Sequence, residues 1–346
     1  MRGFLISLLV FVITAIFTFI IKTVAPVFGI VDKPSERKVH KKPIPLLGGL
    51  AIYIGFMFGL LFYPQTYKSF FPLLLGGTII LILGIIDDAK GLSARIRFVV
   101  QVIAALVLIT GGIRISFLTP GLLGFIGEVL ITLLWVVGLT NAFNYLDGLN
   151  GLAAGSAIIN AFFFSVVLYI TGQDSLAVLS YFLLMGSFGF LPFNFKKAQI
   201  FLGDTGSTFL GFMLAGIAIA GDWAGDHIVK IAIPIIILGV PIFDMTFTTV
   251  MRIKEGKVKS LIEWLRYAGK DHFHHYLVYL GLKPIAAVVF IWTITFFLGL
   301  TGVMLGNDKA WEGILTVFQA SIFFAIIAVL IVIGRSRSSG WDKSDQ

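Results

Sequence analysis

Four polar segments interrupt an otherwise apolar chain, and their side chains are of kinds that manage phosphate charge. The first, Gly84 to Gly91, sets Asp87 and Asp88 side by side where apolar sequence stops, with Lys90 close behind. Adjacent carboxylates repel and need a counter-charge, which a divalent cation, a shared proton or Lys90 can supply; oxygen-rich sites beside phosphates usually hold magnesium. A solvated helix end is the simpler alternative. The second, Asn141 to Gly151, carries Asn144, Asp147 and Asn150 with two glycines and no cation to balance Asp147. The third, Phe201 to Thr208, leads through Gly203, Asp204 and Gly206 into a helix whose first turn should offer N–H groups to a phosphate or metal phosphate. N-capping by Ser207 or Thr208 is its plainer reading. The fourth, Lys270 to Leu277, holds His272, His274 and His275, three of the five histidines. The chain has no cysteine, so disulfides and thiolate metal sites are excluded. The histidines therefore read as phosphate partners and orienters, with soft-metal binding or simple surface exposure as alternatives. Asp244, eight residues before Arg252, lies inside an apolar run, either as a functional intramembrane carboxylate or as one that snorkels from a helix end.

The elements that must position these groups are membrane helices. Hydrophobic residues make up 58% and charged residues 13% of the 346, against about 45–50% and about 25% in soluble domains. A bilayer core about 30 Å thick needs roughly 20 mostly apolar residues per helical span. Eleven such runs lie near 3–21, 46–63, 70–86, 96–112, 122–140, 150–170, 175–193, 206–222, 229–248, 284–305 and 311–334. The first has 19 residues, long for a signal-peptide core, and no A-x-A cleavage site follows, so it reads as a retained anchor. An all-α, polytopic integral membrane protein of about eleven transmembrane helices is expected, with residues 1–334 as one transmembrane catalytic domain and 335–346 as a polar, disordered cytoplasmic tail. Of the 26 Lys and Arg, all but Arg2, Lys68, Arg114, Lys230 and Lys309 fall on one side when the loops alternate. The positive-inside rule makes that side cytoplasmic, with the N-terminus outside and the C-terminus inside. The net charge of +8 is thereby accounted for without nucleic acid. Every polar segment then lands on the cytoplasmic face. Within the last long loop, Val258, Leu261, Ile262 and Leu265 recur at helical spacing beside Trp264, as in an interfacial helix that anchors to the inner leaflet. Pro234 and Pro241 should kink or break the ninth run, leaving a groove of lipid size beside it.

Taken in order, the motifs resemble the polyprenyl-phosphate N-acetylhexosamine-1-phosphate transferases, a glycosyltransferase family 4 type. The components are Asp32-Lys33-Pro34, Arg37-Lys38-Val39-His40, Pro43-Ile44-Pro45 and Gly48-Gly49, then Asp87-Asp88, Asn144 to Gly148, Gly203 to Ser207 and His272 to His275. The match spans residues 32 to 277. The H-x-H-H form, the D-x-P opening and the Asp244 and Arg252 positions are similar to the N-acetylglucosamine-1-phosphate branch that starts teichoic acid and O-antigen synthesis. MraY-type phospho-MurNAc-pentapeptide transferases usually have three consecutive histidines and ten spans. The family commonly has a second Asp where this chain has Asn150, a departure that bears on nucleotide preference.

The resemblance implies a UDP-N-acetylhexosamine donor, undecaprenyl phosphate as acceptor and UMP as product. It implies a magnesium ion, replaceable by manganese, on Asp204 with help from Asp87 and Asp88, which with Asp147 form the catalytic set. Asn144, Asn150 and Asp147 would line the donor pocket, His272, His274 and His275 would bind its phosphates, and the opening loop with His40 and Lys41 would close over the site beside Lys90. Asp87 would accept or position the proton of the lipid phosphate, whose second pKa of about 6 makes a strong base dispensable. Direct displacement and a covalent intermediate on an Asp both remain open, as does oligomeric state, a homodimer included. The other readings are an MraY-type transferase, or an ion-coupled transporter, which should hold its polar residues near mid-membrane. A CDP-alcohol phosphotransferase motif fails at Lys90, where an Asp is needed.

Overall fold

A computed structural model of the chain describes residues 2–34, 42–260, 263, 264, 267, 269, 271–305 and 309–341, with Arg2, Phe4 and 333–341 as backbone alone. His40 and Lys41, expected over the site, lie outside these residues, as do Leu261, Ile262 and Leu265 of the expected interfacial helix.

The chain begins with α1 (Arg2–Val24), then a two-residue antiparallel ribbon of β1 (Val31–Asp32) and β2 (Ile44–Pro45), α2 (Gly48–Leu60), a short α3 (Pro64–Ser69) and α4 (Phe71–Lys90). Next come α5 (Ala94–Thr110), α6 (Leu122–Leu146), α7 (Leu152–Ile170), α8 (Asp174–Asn194) and α9 (Gly203–Ala220). The last part holds α10 (His227–Ile237), α11 (Gly239–Lys254), α12 (Phe273–Tyr279), α13 (Pro284–Met304) and α14 (Ala310–Trp341).

Every apolar run is helical. Among the described residues, eight helices are long and apolar enough to cross a bilayer, and α10 with α11 makes a ninth, broken candidate. The runs at 46–63 and 96–112 give the shorter α2 and α5, of 13 and 17 residues. The two halves of the ninth candidate meet at Leu238 with a bend of 76°. Pro234 removes one donor from the last turns of α10, while Pro241 falls in the first turn of α11, where its N–H is dispensable, so the break sits between them. At the far end, α14 continues to Trp341, through most of the stretch expected to be a disordered tail.

The helix on which the others converge is α9, packed by α4, α6, α2 and α7, with every residue from Thr205 to Ala218 buried. Small residues permit this: a Cβ on Gly49 of α2 would stand 2.1 Å from Gly206 Cα, and one on Gly84 of α4 would stand 2.4 Å from Thr205 Cα. Backbones approach this closely only where no side chain intervenes, which is how membrane helices gain packing area. The start of α9 is also tied to the first long loop. Phe201 N–H donates to Pro45 O at 2.8 Å, and the Gly48 and Gly49 N–H groups donate to Phe201 O and Leu202 O at 3.0 Å each. The helix begins at Gly203, three residues before the apolar run, and φ of +72° at that glycine turns the chain into it.

Candidate active site

The start of α5, the end of α6 and the start of α9 meet on one cavity of about 300 Å³, whose wall includes Arg97, Asn144, Tyr145, Asp147, Asp204, Arg252, His272 and His275, and the end of α4 lies behind it through Asp87 and Arg97. Asp204 projects from the first turn of α9; its Oδ1 accepts from Asn144 Nδ2 at 2.5 Å and its Oδ2 from Arg97 Nη1 at 3.3 Å. The same Nη1 lies 3.1 Å from Asp87 Oδ2, while Leu92 N–H at 2.6 Å holds Asp87 Oδ1. Arg97, on α5, is thus the counter-charge that Asp87 shares with Asp204, and Lys90 is exposed away from the cavity wall.

Asp88 faces elsewhere. Its Oδ1 accepts from Asp204 N at 2.9 Å, and its Oδ2 from Thr205 N at 3.2 Å and Thr205 Oγ1 at 2.6 Å. A carboxylate from the adjacent α4, 116 residues earlier in the chain, therefore caps α9, satisfying N–H groups that have no partner within their own helix. This corrects two expectations. Ser207 and Thr208 are not caps, because their hydroxyls donate back to Gly203 O at 2.9 Å and Asp204 O at 2.6 Å. Nor are the Asp204 and Thr205 N–H groups open to a phosphate, since Asp88 takes both, and Gly203 N–H turns to Asp147. Burial first, then the Asp204 and Asp88 carboxylates, push Asp147 well above the usual carboxylate range, with the Gly203 N–H pulling the other way. Asn150 lies off the cavity wall and ties its loop to Lys196 O at 3.3 Å.

The three histidines divide. On His272, Asp244 Oδ2 meets Nδ1 at 2.9 Å and Arg252 Nη2 meets Nε2 at 3.2 Å. A guanidinium only donates, so in this arrangement Nε2 accepts and Nδ1 donates to Asp244. Neither nitrogen is left for a phosphate, although the ring forms part of the wall and stacks on Tyr145 at 4.6 Å. His274 is fully buried with no hydrogen bond on either nitrogen among the described residues; burial and His275 drive its pKa down to about 3. It packs beneath Gly148, where a Cβ would stand 2.1 Å from Nε2. Of these three, His272 and His275 reach the cavity and His274 does not. Asp244 and Arg252 pair with others rather than with each other. Asp244 is fully buried and also accepts from Phe273 N–H at 2.5 Å. Arg252 forks onto Asp271 at 2.7 and 2.9 Å and lies over the rings of Tyr145 and Tyr267. Burial alone would raise Asp271, but the Arg252 bonds outweigh it and hold the carboxyl below its ordinary range. In the same loop, Trp264 Nε1 donates to Thr249 Oγ1 of α11 at 2.9 Å, so this anchor of the expected interfacial helix is tied to protein.

Sequence reasoning missed Arg97, Tyr145 as a wall residue and Tyr267. The signal for Arg97 was present: a cation placed inside an apolar run is costly unless it has a partner, and an acid pair stands ten residues before it.

Residues 70–222 match the sequence profile of glycosyl transferase family 4, a range that includes the Asp87, Asn144, Asp147 and Asp204 segments. The chain is 38% identical over 335 residues to the Bacillus subtilis protein named "Probable undecaprenyl-phosphate N-acetylglucosaminyl 1-phosphate transferase", covering 94% of this chain and 90% of that one. It is 31% identical over 375 residues to the "Decaprenyl-phosphate N-acetylglucosaminephosphotransferase" of Mycobacterium tuberculosis, covering 98% and 91%. With the Salmonella typhi "Undecaprenyl-phosphate alpha-N-acetylglucosaminyl 1-phosphate transferase" it shares 29% identity over 298 residues, covering 82% and 78%.

Proposed function

The chain belongs to glycosyl transferase family 4, and from that membership we propose that it transfers N-acetylglucosamine-1-phosphate from a UDP-linked donor to undecaprenyl phosphate, releasing UMP. The observation that carries the reading is the meeting of Asn144, Asp147 and Asp204 on one cavity with Arg97, whose Nη1 ties Asp204 to Asp87 of a third helix end just behind the wall.

Magnesium, with manganese as a substitute, fits this donor set. Oδ2 of Asp87 and Oδ2 of Asp204 already share one positive atom, so two hard oxygens from different helices gather a single charge. Among the described residues no three His, Asp or Glu side chains form a complete ligand shell. Magnesium is usually held by one or two carboxylates with water and substrate phosphate oxygens completing the shell. Asp204 and Asp87 would hold the ion, which when bound neutralises the diphosphate and polarises the phosphorus under attack. Asp88 acts one step back, by fixing the turn that presents Asp204. Asn144 holds the other oxygen of Asp204, and Asp87, fixed by Leu92 N–H, takes or positions the proton of the lipid phosphate. The His272 ring and Tyr145 shape the wall, and His275 stands on the same wall, where a donor phosphate would meet it.

The site faces the cytoplasm of a bacterial inner membrane in this reading, with the N-terminus outside, the C-terminus inside and α2 and α5 completing eleven spans. The distribution of Lys and Arg supports it, as does the common end of the molecule at which α4, α6 and α9 deliver their acids.

Purified protein given undecaprenyl phosphate and a panel of UDP-sugars should release UMP with UDP-N-acetylglucosamine and exchange labelled UMP into it. Release with UDP-MurNAc-pentapeptide alone would favour the MraY-type reaction. Flux through proteoliposomes with no UMP release would make the chain a transporter.

A further inference from the structure

We infer that Arg97 and a divalent cation exchange places between Asp87 and Asp204, so that Arg97 is a phosphate ligand held in reserve and freed when the cation arrives. The inference rests on the magnesium reading above. Arg97 stands in the first turn of α5 and reaches both carboxylates through one atom, Nη1, at 3.1 and 3.3 Å. Charge-assisted N–H···O bonds run at about 2.7–2.9 Å, and a well-held guanidinium grips a carboxylate with two nitrogens. This grip is loose by comparison. Among the described residues no bond engages Nε or Nη2, and the side chain is 36% exposed on the cavity wall.

The carboxylates do not depend on Arg97 for their placement. Leu92 N–H fixes the far oxygen of Asp87 and Asn144 Nδ2 fixes the far oxygen of Asp204. The near oxygens, both Oδ2, are the ones Arg97 shares, and they are also the ones a dication would take. Magnesium sits about 2.0–2.1 Å from its oxygen ligands, which leaves no room for a guanidinium nitrogen between the same two atoms, and the two cations repel. Displaced, the guanidinium stays in the cavity with its planar fork unpaired, next to where a diphosphate would lie, and that fork matches phosphate geometry. Exchange would thus keep the acid pair neutralised before the cation arrives and supply a second positive group once it has.

The test uses the full chain purified in detergent. Free Mn²⁺ is titrated by electron paramagnetic resonance with the wild type and with Arg97→Gln. In parallel, modification of Arg97 by phenylglyoxal is followed by peptide mass spectrometry, without Mn²⁺, with it, and with Mn²⁺ plus inorganic pyrophosphate. The expected result is Mn²⁺ binding at least about tenfold tighter in Arg97→Gln, with wild-type Arg97 modified faster once Mn²⁺ is added and slower again with pyrophosphate. Equal or weaker Mn²⁺ binding by Arg97→Gln overturns the inference and makes Arg97 a fixed clamp. Unchanged phenylglyoxal reactivity on adding Mn²⁺ overturns it too, and needs no variant to fold. Failure of both proteins to bind Mn²⁺ removes the magnesium reading itself, and this inference with it.

Discussion

Asp87 and Asp204 face a shared cation with one oxygen each, so removing either charge should abolish transfer without unfolding the protein. Asp87→Asn and Asp204→Asn should each lower turnover at least about 100-fold, a loss of roughly 2.7 kcal/mol in transition-state stabilisation, with thermal unfolding little changed. Asp147 behaves differently because burial and its acidic neighbours favour its protonated form. A carboxyl raised on folding holds its proton where the unfolded chain has lost it, so the stability it contributes is fully present below the unfolded pKa of about 3.9 and is lost as pH climbs from there through the folded pKa. Asp147→Asn, which fixes the uncharged form, should therefore raise Tm at pH 8 relative to the wild type and leave Tm unchanged near pH 4; an equal shift at both pH values would remove the ionisation argument. Much of this was legible in residue types: the acids, Asn144 and the histidines announce themselves as polar groups stranded in apolar sequence. Their division of labour was not. Nothing local to Asp88 says that it faces a backbone 116 residues away. Nothing local to His272 says that Asp244 and Arg252 will occupy both of its nitrogens.

At the scale of elements, the site depends on how α9 begins. Asp88 supplies the cap that the helix's own sequence lacks, since Leu202 at the cap position makes no side-chain bond. Asp88→Ala should lower stability by about 0.5–2 kcal/mol, the usual cost of losing a cap, and should reduce turnover as well, because the freed first turn carries Asp204. Circular dichroism on heating, run beside the transfer assay, checks both; loss of activity with unchanged Tm would instead place Asp88 among the groups that touch substrate. The helices themselves were readable from hydropathy, because a lipid solvent tolerates little else than apolar residues on a closed backbone. The break in the ninth run was readable from Pro234 and Pro241. The shortness of α2 was less so, since Leu61, Phe62 and Tyr63 extend the apolar run beyond Leu60, where the helix stops. The start of α9 was missed by three residues because Gly203, Asp204 and Thr205 read as loop, and become helix only when α4 offers an acceptor.

For the molecule as a whole, the distribution of cations predicts which side each connection faces. The absence of cysteine makes this easy to test, since every thiol introduced is the only one. Lys90→Cys and Lys254→Cys, both exposed, should react with a membrane-impermeant maleimide only after the inner face is opened, and Thr119→Cys should react in intact cells. Labelling of Lys90→Cys from outside would invert the topology and put the cavity on the wrong side for a nucleotide donor. The order of synthesis adds a consequence of the capped helix. The ribosome completes Asp87, Asp88 and Asp147 before it reaches the N–H groups of residues 203 to 205, so the earlier helices enter the bilayer carrying acids whose backbone partners do not yet exist. A chain stopped after α8 would gather like charges with no helix end to receive them, and α9 is the piece whose arrival lets that corner of the protein close.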